Sequence, residues 1–317
     1  MTLAEIPPTY LRICVLFLGL VWGSFLNVVI YRMPRGMSVV RPPSHCPGCS
    51  KPIPGLRNVP VLSWLLQGGR AACCGTRISA RYPLIELAGA VLSLAVLDVI
   101  VLALPGNTPV FHAFAYYASY FGLALGLTAA AFIDLEFMIV PDTITFGGTV
   151  LGIGTFGLRD MSFMESLVGA AIGFLIVWLP FDVIYSRIRG VSGMGLGDAK
   201  LMMLAGAWFG WEGVALVLGG GAIQGTVIIL IAMLIKGGRI EEPEAVARER
   251  EDAFAALEEL PPEERAEYTA ELLKDPLALE PEEGFGKMRI AFGPFLILAT
   301  LEMLLLGRDT VVSWFIV

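Results

Sequence analysis

Charged residues are scarce in this 317-residue chain, and long apolar runs take their place. Asp, Glu, Lys and Arg together make up 16% of the residues, the hydrophobic types make up 56%, and the mean hydropathy is +0.73. Soluble domains carry about 25% charged residues, so a soluble globular protein is excluded. Helices satisfy their own backbone hydrogen bonds in lipid, so the sequence predicts an all-α polytopic membrane protein.

The apolar runs set the number of predicted membrane crossings. A run of about 20 residues spans a hydrocarbon core of about 30 Å as a helix. Two of the runs, 143–158 and 199–211, are short for a full crossing and could be partly interfacial. We predict about eight transmembrane helices, at 10–31, 84–104, 111–133, 143–158, 164–185, 199–211, 213–235 and 290–306.

Acidic residues are absent between Arg32 and Arg81, a polar segment that carries eight cations. Lys and Arg favour the cytoplasmic side of a membrane, so this segment is predicted to be cytoplasmic. The amino terminus lacks a basic region and a small-residue cleavage site, so it is predicted to be a retained first span that starts outside. Alternating from there places Asp134 and Asp198 on the cytoplasmic side.

The distribution of charge divides the chain further. Residues 237–288 hold 16 acids and six bases, a local charge of -10, so the formal total of -7 leaves +3 for the remainder. This insertion is predicted to form a soluble helical hairpin broken at Pro261-Pro262, although its composition suits disorder almost as well. The predicted parts are the first span at 1–32, a small cytoplasmic domain at 33–82, a six-helix core at 83–236, the acidic insertion at 237–288, and the last span at 289–317.

Four of the five cysteines lie in the small domain at 33–82. Cys46 and Cys49 are separated by two residues, and Cys73 and Cys74 follow 24 residues later. Paired clusters of this kind are typical of structural zinc sites, and a reducing cytoplasm disfavours disulfides. Because the second cluster lacks the Cys-x-x-Cys spacing, unligated or redox-active cysteines remain an alternative. The four cysteines are the predicted metal ligands.

Two acids stand at the ends of predicted spans on the same side of the membrane. Asp134 closes one span and Asp198, 64 positions later, opens another. Ionisable groups at such positions are costly and mark functional sites. A pair of carboxyl groups can activate water for amide hydrolysis when one is ionised and the other protonated. Helix dipoles favour Asp198, near a helix amino terminus, as the anion, and Asp134, near a carboxyl end, as the acid.

The same two carboxylates suit a proton relay in a proton-coupled transporter. The chain shows no matching inverted halves of the kind such transporters often have.

Several other residues have structural or functional interpretations. Asn27, inside the first span, is predicted to hydrogen-bond to a neighbouring helix. Glu86, after Pro83, either sits in the first turn of a helix, where the dipole favours an anion, or belongs to a site. Asp142, after Pro141, is predicted to cap the next span and to take no part in chemistry. Close helix packing is predicted at the glycine pairs 148/152, 169/173 and 221/225.

One motif connects these observations with a known family. Gly195-Leu196-Gly197-Asp198 followed by Lys200, with Asp134 upstream, resembles the GxGD signature of intramembrane aspartic proteases. Further motifs narrow the resemblance to the bacterial type IV prepilin leader peptidases and extend it over nearly the whole chain. They lie at 23–28, 46–49, 58–65, 78–86, 134–142, 195–200 and 292–296.

The resemblance implies an aspartic endopeptidase, multi-pass in the bacterial inner membrane, that acts at the cytoplasmic face. Asp134 and Asp198 would be the catalytic pair, with Gly195, Gly197, Lys200 and Glu86 in supporting roles. The implied substrates are type IV prepilins and the pseudopilins of type II secretion, whose short basic leader is removed just after a glycine. No nucleic-acid partner is implied.

A second implied activity is methylation of the new amino terminus with S-adenosylmethionine as the methyl donor. The glycine motifs of this chain are helix-packing or GxGD glycines and match no nucleotide fingerprint. The binding site of the methyl donor is therefore unassigned.

The chain departs from the family pattern at two places. Ala71 stands where a third cysteine is expected, so a zinc ion would need Cys73 or His45 as its fourth ligand. The acidic insertion is also longer than the family pattern leads us to expect. Its charge could offset the repulsion between a basic leader and the basic domain at 33–82.

Overall fold

The computed structural model describes residues 1–46, 48–189, 194–235, 242–258, 260–273, 276–279, 290–307 and 310. In these ranges the secondary structure is helical, and the β-pairing is limited to three isolated bridges. Five helices are long and apolar enough to cross a membrane: Pro8–Arg32, Arg81–Val101, Val110–Phe137, Phe163–Ile188 and Leu196–Ile235. The predicted all-α membrane fold is confirmed, and the count of eight spans stays a prediction.

Eleven α-helices follow one another in the described residues. They are α1 Pro8–Arg32, α2 Leu62–Leu66, α3 Arg81–Ala95, α4 Val110–Phe137, α5 Asp142–Gly154, α6 Phe163–Val177, α7 Tyr185–Arg189, α8 Leu196–Ile235, α9 Glu244–Glu258, α10 Pro262–Leu272 and α11 Gly293–Leu306. A π-helical stretch, Val96–Val101, extends α3, and a second, Trp178–Ile184, joins α6 to α7. Short 3-10 turns lie at Leu3–Glu5, Gly55–Arg57, Phe156–Arg159 and Pro276–Ala278.

Helix α5 differs from its predicted span, and α8 is divided near a predicted boundary. Helix α5 has 13 residues and is about 20 Å long, which is shorter than the hydrocarbon core. The runs predicted as separate spans at 199–211 and 213–235 both lie in α8, which is interrupted at Gly210. The backbone there has φ 70° and ψ -172°, a conformation essentially restricted to glycine. The break therefore falls close to the predicted boundary.

The described residues of Met1–Ala130, Gly154–Met161 and Leu301–Val317 form one compact unit. In it α1 packs directly on α3, because a Cβ on Gly23 would lie 2.8 Å from the backbone of Glu86. The Asn27 amide donates to the Tyr82 carbonyl of α3 at 3.1 Å. The predicted structural role of Asn27 is thus confirmed.

The described residues of Ala131–Ile153 and Ser162–Thr300 form the second unit. Gly169 of α6 and Gly206 of α8 bring the two helix backbones into contact. The Ser166 hydroxyl, one turn from Gly169, donates to the Ala207 carbonyl at 2.6 Å. Gly221 of α8 lies against Leu296 of α11. Gly152 of α5 also lies against Trp208 of α8, so glycine mediates close packing at all three predicted pairs, since small residues let helices approach closely in lipid.

The described part of the acidic insertion is a helical hairpin, α9 and α10. The chain turns at Pro261, and Pro262 is the first residue of α10, a position that tolerates its missing N–H. A largely buried ion pair joins Arg250 to Glu242 at 2.9 Å, and Arg250 also donates to the Leu279 carbonyl at 3.2 Å. The described residues therefore have the predicted hairpin form, and residues 237–241 and 280–288 lie outside them.

Candidate active site

Asp134 lies in the last turn of α4 and is only 4% exposed. The helix ends just beyond it, where Met138 has a φ of 54° and donates its N–H to the Asp134 carbonyl at 2.9 Å. The Asp134 carboxylate accepts a hydrogen bond from the backbone N–H of Gly293, the first residue of α11. A Cβ at position 293 would collide with this carboxylate. Only glycine allows so close an approach.

Asp198 is the third residue of α8 and is 9% exposed. Its backbone N–H donates to the Gly195 carbonyl at 3.0 Å, and its carboxylate accepts from the Gly195 N–H. This return bond is the one that an acid at the third position of a helix makes to the residue preceding the helix. The Asp198 carboxylate is therefore fixed in orientation at a helix amino terminus.

The structure brings the two acids to one site. The Asp198 carboxylate is near enough to Asp134 for the two groups to interact electrostatically. Val140 lies between the start of α8 and the start of α11. A Cβ added to Gly197 would be 3.1 Å from Val140 Cβ, and a Cβ added to Gly293 would be 3.3 Å from Val140 Cγ2. The loop from α4 to α5 therefore packs against the starts of both α8 and α11.

Asp134 in the last turn of α4 and Asp198 in the first turn of α8 have the positions that the helix-dipole argument assumed, and their separate roles stay a prediction. The carboxylate of Asp134, however, accepts from Gly293 at the amino end of α11, which favours the anion. Both carboxylates thus receive a backbone N–H from a helix start.

Lys200, one of the predicted supporting residues, forms an ion pair with Asp142. Its Nζ lies 2.6 Å from Asp142 Oδ1 and 5.5 Å from the centre of the Phe146 ring. The Lys200 side chain is 17% exposed, so the charge is partly shielded from water. The pair ties the start of α5 to the start of α8.

Sequence reasoning gave Asp142 no role beyond a cap, and it missed this partner. Asp142 is the first residue of α5, directly after the cap position at Pro141, and its carboxylate binds Lys200. Helix periodicity contains no signal that would connect it with a lysine 58 positions away. The contact depends on how α5 and α8 meet.

Glu86 belongs to the other unit and has a different environment. It is the sixth residue of α3, so the first-turn interpretation is wrong. Its buried carboxylate accepts the Val61 N–H at 2.6 Å. Glu86 therefore holds the domain at 33–82 to α3.

The four predicted ligand cysteines form one cluster, with all four sulfur atoms within 4.8 Å of one another. The two Sγ atoms are 3.5 Å apart in Cys46 and Cys74 and 3.3 Å apart in Cys49 and Cys73. These distances are close to the sulfur–sulfur distance of about 3.8 Å expected for four thiolates arranged tetrahedrally around zinc. The hydrogen bond with the Thr76 hydroxyl lowers the pKa of Cys74 to about 6, whereas the hydrogen bond with Cys49 raises the pKa of Cys73 to about 12. The cluster could hold a metal ion.

The choice between Cys73 and His45 is answered by position. Cys73 is a member of the cluster, at 3.9 Å from Cys74, whereas the His45 ring nitrogen faces the Pro43 carbonyl at 3.4 Å. Adjacent cysteines in the turn 71–75 therefore both point to the same centre. Ala71, at the position of the missing cysteine, is buried.

Two family models match the chain. The bacterial peptidase A24 N-terminal domain covers residues 17–99, and the type IV leader peptidase family covers residues 121–237. The first match includes the cysteine cluster and Glu86, and the second includes Asp134, Asp198 and Lys200. No solved structure matches the chain significantly.

Similar proteins are named prepilin leader peptidase/N-methyltransferase. The protein of Myxococcus xanthus is 35% identical over 92% of this chain and 88% of its own length. Those of Stutzerimonas stutzeri and Aeromonas hydrophila are each 34% identical, over 70% and 75% of this chain and 82% and 86% of their own lengths. Matches of this identity and extent show that the chain belongs to the type IV leader peptidase family.

Proposed function

We propose that this protein is an inner-membrane aspartic endopeptidase that removes the leader of type IV prepilins and pseudopilins and methylates the new amino terminus. The observation that carries the peptidase chemistry is the placement of two buried acids, Asp134 and Asp198, around Val140, which packs against both Gly197 and Gly293. The substrate class follows from the family and from the names of the relatives. No comparison favours a proton-coupled transporter.

In the proposed mechanism the two acids share one proton. Two neighbouring carboxylates do not both ionise easily, so one stays protonated and the titration belongs to the pair. The ionised member takes a proton from water as the water oxygen attacks the scissile carbonyl carbon, while the protonated member donates a hydrogen bond to the carbonyl oxygen. Collapse of the tetrahedral intermediate breaks the C–N bond, and the proton taken from water passes to the leaving amine.

The glycines around the pair have positioning roles in this scheme. The N–H groups of Gly195 and Gly293 fix the two carboxylates, and the absence of a side chain at 197 and 293 leaves room for Val140 between the elements. Preorganised donors of this kind need no rearrangement during reaction. Lys200 acts through Asp142 and supports the same arrangement.

Charge supports the proposed orientation in the membrane. The segment from Arg32 to Arg81 carries eight cations and no acid, which favours the cytoplasmic side. With the amino terminus outside, both catalytic acids lie at the cytoplasmic face, where a leader peptide would be accessible. The acidic hairpin would be on the same side.

For the cysteine cluster we propose a structural zinc ion held by Cys46, Cys49, Cys73 and Cys74. Tetrahedral thiolate sites stabilise small domains that lack a large core. The ion would fix the loops of the domain and take no part in peptide hydrolysis.

Methyl transfer would need S-adenosylmethionine, and no residue set in the described ranges fits this cofactor well enough to be assigned. The glycines that approach other groups closely, such as Gly23, Gly169 and Gly206, contact neighbouring helices. No step is derived through the methyl donor.

The test of the peptidase proposal is to replace each acid by its amide. Asp134→Asn and Asp198→Asn should each lower kcat for cleavage of a purified prepilin by about 10²- to 10⁴-fold, because each removes acid–base catalysis. Cleavage is measured with the detergent-solubilised enzyme by the shift in prepilin mass.

Glu249→Gln is the control, since Glu249 is an exposed acid on α9, outside the candidate site. It should leave kcat within about twofold, as surface substitutions away from a site usually have small effects. Full cleavage by either Asn variant would overturn the assignment of the catalytic pair.

A further inference from the structure

Three leucines of the domain at 33–82 are exposed on a single helical turn. In α2, Leu62, Leu65 and Leu66 are 51%, 60% and 78% exposed. Their spacing of three and four residues places them on one face of the helix. Exposed apolar side chains in a membrane span face lipid, but α2 lies outside the spans. A clustered apolar face there marks an interaction surface.

The contact between α2 and α3 indicates where the leucine face of α2 lies relative to the membrane surface. The N–H of Val61, directly before α2, donates to the Glu86 carboxylate at 2.6 Å. Glu86 is five residues beyond Arg81, where the span Arg81–Val101 begins, and is thus about 7 Å along that helix. The start of α2 is therefore beside the second turn of a membrane-spanning helix.

Val61 and Trp64 both hold α2 at this position. Val61 has a φ of 60° and a ψ of -51°, an unfavourable conformation for a β-branched residue, and its N–H is bound to a buried carboxylate. On the other side, the Trp64 indole donates to the carbonyl of Ile78, three residues before α3, at 3.1 Å. Tryptophan is enriched at membrane–water interfaces because its ring is apolar and its N–H is polar.

The charge around α2 decides which partner this surface fits. Arg57, Arg70 and Arg77 are exposed, and no acid lies between Arg32 and Arg81. A basic leader peptide would be repelled by this surface, whereas the anionic lipid headgroups of a charged leaflet would be attracted to it. Apolar side chains next to cations are the composition of interfacial segments.

We propose that α2 is a membrane-docking element. Leu62, Leu65 and Leu66 enter the headgroup region of the anionic leaflet from which α3 starts, and the neighbouring arginines bind lipid phosphates. The occupant of the surface is the bilayer itself. The small domain would thus be held against the membrane at α2 as well as by its two flanking helices, independently of the peptidase chemistry.

Site-specific photocrosslinking of the full-length protein tests this proposal. Leu65 is replaced by p-benzoylphenylalanine, and the protein is placed in nanodiscs of phosphatidylcholine with or without phosphatidylglycerol. After illumination, mass spectrometry identifies the adducts. The same probe at Phe17, an exposed position in α1, is the lipid-facing control, and at Phe254 of α9 it is the solvent-facing control.

Lipid adducts at Leu65, at a yield comparable with Phe17 and several-fold above Phe254, would support docking. An increase of at least twofold with phosphatidylglycerol would support the role of the arginines. A yield as low as that of Phe254, or adducts only to protein, would overturn the proposal. Equal yields in the two kinds of nanodisc would overturn the preference for anionic lipid.

Discussion

At the scale of single residues, the site depends on two backbone N–H groups that belong to glycines. Gly195 donates to Asp198 and Gly293 donates to Asp134. Each glycine stands at the start of a helix, so a carboxylate is held by a group with positive helix-end potential. At Gly293 the carboxylate also occupies the space that a Cβ would need.

Gly293→Ala should therefore lower kcat by about 10²-fold, because a misplacement of about 1 Å at a reacting group costs that much. The measurement is single-turnover cleavage of a prepilin, with the thermal stability of the variant recorded in parallel. The control is Gly147→Ala in α5, where a Cβ meets no other atom within 4 Å. A Gly293→Ala enzyme with the kcat of the parent would show that the carboxylate tolerates displacement.

Part of this site could be predicted from the chain alone. Asp134 and Asp198 are recognisable because acids at the ends of apolar runs are rare and costly. The contribution of Gly293 is not recognisable, since the N–H of a glycine 159 positions from Asp134 carries no local signal. Cys73 was identified by the need for a fourth ligand and lies in the cluster.

At the scale of helices, α5 and α8 are connected by the ion pair of Asp142 and Lys200, 2.6 Å apart. The pair adjoins the site, because Lys200 is two residues from Asp198 and Asp142 is two residues from Val140. Its loss would loosen the starts of both helices relative to each other.

Asp142→Asn and Lys200→Gln should each reduce kcat several-fold with little change in KM. If each side chain acts only through the other, the double variant should be no worse than the poorer single variant, with a coupling of about 0.5–3 kcal/mol. A matched control is the exposed pair Arg248 and Glu244 on α9, at 3.0 Å, whose removal should change nothing. Additive losses in the double variant would contradict the pairing.

Packing of α6 on α8 gives a second prediction at this scale. Gly206→Ala should destabilise the protein by about 1–3 kcal/mol, because the added Cβ meets the backbone of Gly169 and overpacking has costs of that size. Thermal unfolding in detergent measures the change. Gly219→Ala, in the same helix but with no atom within 4 Å of the new Cβ, should be neutral or slightly stabilising.

Helix existence was predictable at this scale, and helix ends were less so. Apolar runs identify α1, α3, α4 and α6, since burial in lipid demands continuous hydrophobicity. The break of α8 at Gly210 and the short length of α5 depend on backbone geometry and on packing with neighbours. Composition alone does not encode those details.

At the scale of the whole molecule, two polar regions are added to the membrane helices. One is the domain at 33–82 with its cysteine cluster, and the other is the acidic hairpin α9–α10. The hairpin has its own ion pair between Arg250 and Glu242. Its proposed electrostatic effect on a basic leader stays a prediction.

Metal analysis of the purified protein tests the first of these regions. About one zinc per chain is expected, and Cys46→Ser should reduce the content well below one and lower the melting temperature, because the metal contributes to folding. Cys14→Ser is the matched control, since Cys14 lies in α1 outside the cluster. Well under one zinc in the parent protein would reject the site.

The interruption of α8 at Gly210 has a consequence for tolerance to substitution. The 14 residues from Leu196 to Phe209 form the first segment of α8, with Asp198 near its start. Gly210 joins this segment to the rest of α8 in a backbone conformation that residues other than glycine rarely adopt. A larger residue at 210 would change the angle between the two segments of α8. Asp198 lies about 18 Å from Gly210 along the helix axis, so it would be displaced further than residue 210 itself. Inactivating mutations should therefore arise at a position that touches neither acid.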